Sequence, residues 1–77
     1  MVSDKKITKI VMSADKYSPD MRIAAWFLRE GGSEEEWHQA CSRLSELPEP
    51  IMNNVYVCIR DINRRKIPLE SIPGLEF

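Results

Sequence analysis

The chain has 77 residues, 43% of them hydrophobic and 30% charged, with a formal net charge of −1 and a pI near 5.8. A chain this short makes one domain, residues 1–77, whose single core supplies only about 3–5 kcal/mol, so a deep enclosed pocket is not expected. The composition also excludes a disordered tail, no apolar run reaches the roughly 20 residues of a membrane span, and two cysteines are too few for a disulfide scaffold.

The N-terminal segment, MVSDKKITKIVMSADK, is interrupted by lysines where a signal peptide would carry its apolar core, so a cytoplasmic location is the default expectation. Ile7, Ile10, Val11, Ala14 and Tyr17 recur at helical spacing behind Ser3 as a cap. The run ITKIVM also suits a short β-branched strand, so this segment is helix or short strand, with helix preferred.

The next element is the most legible. In YSPDMRIAAWFLREGG, Ser18 suits the N-cap, Pro19 the first helical position and Asp20 the positive end of the helix dipole. Ile23, Ala24, Phe27 and Leu28 form an apolar stripe that Trp26 widens, and Gly31 can adopt the left-handed conformation that ends helices near Glu30. Ser33 followed by Glu36 is a capping box, and Glu34 and Glu35 add negative charge to the same helix start. The acidic triplet therefore has a structural task. Trp37, Ala40, Cys41, Leu44 and Leu47 continue the face until Pro48 and Pro50 break it. Gly31 and Gly32 become a joint between two antiparallel or steeply crossed helices.

The stretch IMNNVYVCIRDINRRKIP fits a helix through Ile51, Val55, Cys58, Ile59 and Ile62, and a buried strand through Val55, Val57 and Ile59. Helix is preferred, because Pro50 suits a first turn and Arg64, Arg65 and Lys66 complement a negative C-terminal end. The tail, residues 67–77, contains Pro68, Pro73 and Gly74 and should run extended over the surface. Whether Leu69, Ile72, Leu75 and Phe77 dock on their own domain or on a neighbour stays open. The expected class is all-α, a compact bundle of three or four short helices with an extended C-terminal tail.

Candidate chemistry is sparse. The Gly-Gly pair lacks the strand, the following lysine and the neutral surroundings of a phosphate loop. Glu35 and His38 have the Glu-x-x-His spacing of carboxylate-bridged metal sites, but this chain carries one histidine. His38, Cys41 and Cys58 lack a fourth zinc ligand and paired cysteine spacing. A Cys41–His38 dyad would need an exposed thiol in positive surroundings, whereas Cys41 falls on an apolar stripe beside glutamates. Both cysteines are expected as reduced, mostly buried thiols and His38 as a surface or rim residue; no metal, cofactor or small-molecule substrate is expected, and no enzymatic activity.

Charge is distributed unevenly. Residues 1–30 carry six basic and four acidic side chains, residues 31–50 one and five, and residues 51–77 four and three. Trp26, Phe27, Trp37, Tyr56, Leu69, Ile72, Leu75 and Phe77 add more apolar surface than three short helices readily bury. The expectation is a small regulator or adaptor that binds another protein, or itself as a homodimer, through Trp26, Trp37 and Tyr56 rimmed by Arg60, Arg64 and Arg65. Trp26, beside its stripe, is the first anchor candidate. The alternative is a helix-turn-helix-like DNA-binding regulator spanning Ser33 to Lys66, using Asn53, Asn54, Tyr56, Arg60, Arg64, Arg65 and Lys66. The acidic pI counts against it.

Overall fold

The structure is a computed structural model that describes residues 2–13 and 20–75. Four helices follow in order, α1 Asp4–Ser13, α2 Asp20–Arg29, α3 Glu34–Arg43 and α4 Glu49–Arg65, then a 3₁₀ turn at Leu69–Ser71. The described residues contain no strand, so both ambiguous segments are helical. Ala14, Tyr17, Ser18, Pro19 and Phe77 lie outside the described residues.

Each helix end has a local cause. The Ser3 hydroxyl accepts from the Lys6 amide at 3.3 Å and caps α1. At the end of α2, Gly31 sits at φ +90°, its amide donating to Leu28 O at 3.1 Å and that of Gly32 to Phe27 O at 3.0 Å. This pair of bonds is the Schellman ending, which satisfies carbonyls the helix leaves free. Gly32 is needed for another reason: a Cβ there would stand 2.3 Å from the Phe27 ring. The ring lies over the glycine. Ser33 then caps α3, accepting from the Glu36 amide at 3.2 Å and donating to the Glu36 carboxylate at 3.3 Å. The reciprocal half of the box thus runs through the hydroxyl rather than through the Ser33 amide.

α3 is shorter than its apolar stripe. It ends at Arg43, and residues 44–47 turn, with the Leu47 amide donating to Leu44 O at 3.1 Å. The backbone before Pro48 is steered away from helical angles, and turning early carries Leu47 inward, where it is buried.

α4 is the longest helix, and α2 and α3 both pack on it. Its buried line is Met52, Val55, Ile59 and Ile62, with Ile51 and Cys58 at the edge. The face is therefore rotated from the expected one to include Met52. The cause is Trp37, whose indole N–H reaches across from α3 to the Met52 carbonyl at 2.9 Å. Phe27 meets Trp37 edge-on with ring centroids 4.9 Å apart, and Ile7, Val11, Ile23 and Ala24 close the core around them.

α1 is clasped to α3 at the surface, where Arg43 donates to Asp4 from Nε at 3.1 Å and from a terminal nitrogen at 2.7 Å. The Arg43 guanidinium lowers the pKa of Asp4 below the ordinary 3.8. The clasp therefore contributes at neutral pH and is lost as pH falls through that lowered value. Both partners are half exposed, so solvent and salt screen it.

The tail is not freely extended. After the 3₁₀ turn Ile72 is buried, and the Arg29 guanidinium donates to the carbonyls of Leu69 and of Ile72, the latter at 2.7 Å. Residues 67–75 thus dock on their own domain, held by an arginine that hydrophobic periodicity does not single out.

One helix end is strained. Lys66 caps α4 at φ 52°, ψ 46°, the left-handed region that costs a non-glycine residue roughly 1–2 kcal/mol. Lys66→Gly should raise stability by about 0.5–1 kcal/mol, since the gain exceeds the extra unfolded-state entropy of glycine. A urea titration reads this as a higher midpoint at unchanged slope.

Candidate functional site

The anticipated residues separate into three places. Trp37 is fully buried, so it is a core residue and not a docking anchor. Phe27 and Ile72 are buried as well, and Tyr56, Leu69 and Leu75 pack partly against the core. A fourth helix absorbs much of the apolar surface that three could not. Among the described residues, the large hydrophobic side chains left exposed are Met12, Met21 and Val57.

Trp26 stays half-buried, in a groove between α1 and α2. Helical spacing explains the position: Ile23, Ala24 and Phe27 face α4 and the core, and Trp26, one residue from Phe27, emerges along the flank of α2. Its ring lies 6.2 Å from that of Phe27. The opposite wall is the flank of α1, where Lys6, Lys9, Ile10 and Ser13 recur at intervals of three and four. Glu30 closes one end, 3.9 Å from the Lys6 ammonium. The groove holds about 210 Å³ and its exposed surface is mostly apolar. That is below the roughly 300 Å³ at which small-molecule sites begin, and suits an inserted side chain better than a cofactor. None of the α4 arginines lines it.

Two of those arginines occupy the outer face of α4. Arg60 and Arg64, one turn apart, share it with Asn53 and Val57, whereas Arg65 and Asn54 fall on the other flank, about 100° per residue separating neighbours. Arg60 lies over the Tyr56 ring at 5.9 Å, and its buried Nε has no hydrogen-bond partner among the described residues. Lys66 caps the helix through its backbone, and its side chain is exposed at that end.

The third place is an open cleft of about 400 Å³ between α3 and the first half of α4, with His38, Cys41, Asn53 and Tyr56 on its walls. The exposed His38 ring lies 5.4 Å from that of Tyr56. Cys41 Sγ donates to the Met52 carbonyl at 3.8 Å. Burial pushes the Cys41 thiol up; burial, then Asp20 and Asp61, does the same for Cys58. Both thiols are free and half-buried rather than deeply buried. Thiols raised in this way carry little thiolate at neutral pH and are poor nucleophiles. Among the described residues, no three histidine, cysteine or carboxylate side chains come together at metal-binding distances.

Compared with known proteins, the chain matches no family model, no curated protein and no solved structure. No described helix is long and apolar enough to cross a membrane.

Proposed function

We propose that this chain is a small non-enzymatic binding protein, an adaptor or modulator that engages another protein, or a second copy of itself, through the α1–α2 groove. The observation that carries this reading is Trp26, a large aromatic side chain left half-buried in an apolar groove too small for a cofactor. Tryptophan in such a setting is the side chain most often found to dominate an interface. The mechanism is occlusion or recruitment: a partner's apolar side chain enters the groove against Trp26 and Ile10, and the surrounding charges set its orientation. Two free thiols accord with a cytoplasmic setting.

Trp26→Ala should leave the far-ultraviolet circular dichroism nearly unchanged, because the α2 core residues Ile23, Ala24 and Phe27 remain. Association should weaken by about 30-fold or more, the range of a tryptophan hot spot. Sedimentation velocity across a concentration series reads self-association, and capture on the immobilised chain reads a separate partner. Global unfolding of the variant would assign Trp26 to the core instead.

A DNA-binding reading is the second, favoured by one observation: Arg60 and Arg64 share the outer face of α4 with Asn53. Under that reading α4, following α3 across the turn at residues 44–48, would contact phosphate through Arg60 and Arg64, with Arg65 on the adjoining flank. Fluorescence anisotropy of a labelled mixed-sequence duplex should then show binding that falls steeply with salt and is abolished in the double variant Arg60→Glu, Arg64→Glu. Undiminished binding by the double variant would remove this face from consideration.

A further inference from the structure

The geometry points to an acidic amphipathic helix of a partner protein as the occupant of the α1–α2 groove. This inference rests on the protein-binding reading above and adds the chemistry of the partner. The protein as a whole is slightly negative, so any preference for an acidic ligand has to come from local charge. α1 supplies it. Its basic residues are Lys5, Lys6 and Lys9, all exposed, and its one acidic residue, Asp4, is turned away and committed to Arg43 of α3.

Lys6 and Lys9 stand on the groove wall beside Ile10, so apolar and positive surface alternate along one flank of a single helix. Among the described residues, Lys9 meets no carboxylate within 4 Å, and Lys6 meets only Glu30, at the long distance of 3.9 Å and with both side chains well exposed. Such a contact contributes little and is readily exchanged for an incoming carboxylate. A helix laid in a groove presents apolar anchors at intervals of three and four. Carboxylates flanking those anchors would face Lys6 and Lys9 while one anchor fills the space against Trp26.

A membrane surface is a poorer fit to the same charges. α1 is basic and amphipathic, but Ile7 and Val11 are buried in the core, and the apolar side chains left outside it, an exposed Met12 and a half-buried Ile10, lie on different sides of the helix and make no continuous face to enter a bilayer.

The test uses the full chain and two fluorescein-labelled helical peptides with identical leucine and phenylalanine positions, one with glutamates and the other with lysines at the flanking positions. Anisotropy titrations at low and moderate salt should show the acidic peptide binding at least about tenfold more tightly, with the difference shrinking as salt rises. The double variant Lys6→Glu, Lys9→Glu should reverse the preference. Glu30→Gln, which releases Lys6, should tighten the acidic peptide severalfold. Trp26→Ala should abolish binding of either peptide. Equal binding of the two peptides that still depends on Trp26 would overturn the acidic partner while leaving the groove as a docking site. Binding that ignores Trp26, or no binding of either peptide, would overturn both. Stronger binding to phosphatidylglycerol vesicles than to the acidic peptide would reassign the basic face to a membrane.

Discussion

Trp37→Ala should leave the protein largely unfolded at room temperature. The indole is fully buried, packs edge-on against Phe27 and donates to the Met52 carbonyl, so one side chain joins α2, α3 and α4. Removing a buried tryptophan costs about 3–5 kcal/mol, which equals the whole stability expected of a core this size. Circular dichroism should show helicity collapsing, and thermal unfolding should lose its cooperative step. Trp37→Phe separates the two roles of the ring. It keeps much of the volume and forfeits the hydrogen bond, and the Met52 carbonyl retains its helical partner, so a folded variant weakened by roughly 1–2 kcal/mol is expected. A Trp37→Ala chain as stable as the parent would mean that the ring is not the keystone of this core.

Gly32→Ala should cost more than Gly31→Ala, contrary to what backbone angles alone suggest. Gly31 has the left-handed angle, yet a Cβ there meets nothing within 4 Å, so alanine pays only the conformational strain of roughly 1–2 kcal/mol. At Gly32 the new methyl would lie 2.3 Å from the Phe27 ring, and that ring cannot swing aside because Trp37 stands against it. Overpacking of a well-fitted core typically costs about 1–3 kcal/mol, and the rigid neighbour places this site at or above the top of that range. Urea midpoints of the two single variants give the comparison. A smaller loss at Gly32 would show that Phe27 repacks freely.

Much of the fold was legible because local signals and periodicity agreed. Gly31, Ser33 with Glu36, and Pro50 mark helix boundaries through backbone chemistry that needs no tertiary partner. What escaped was set across space. The α4 face turned to include Met52 because Trp37 reaches its carbonyl, and α3 stopped early to carry Leu47 inward. The tail docks because Arg29, which reads in sequence as an ordinary basic residue at a helix end, meets two carbonyls some forty residues on.

The site shows the same division. Trp26 was recognisable as a residue beside its stripe rather than within it. Trp37 had equal aromatic promise, but the depth at which a helix stripe is buried depends on how many helices cover it, and α1 could be read as either helix or strand. The lysines on the groove wall were masked by their spacing, since Lys6 and Lys9 form a flank only once α1 is helical and packed beside α2. The arginines, by contrast, formed an obvious run, yet Arg60 and Arg64 share one face of α4 while Arg65 points elsewhere.

The most direct test of the central claim is site-specific photocrosslinking in extract of the source cells, with benzoylphenylalanine at Ser13, on the α1 wall of the groove, or at Asn53 on the outer face of α4. The account predicts a discrete protein adduct from position 13, competed by excess unlabelled parent chain and not by Trp26→Ala. An adduct from position 53 alone, or one from position 13 that Trp26→Ala competes as well as the parent does, would contradict it.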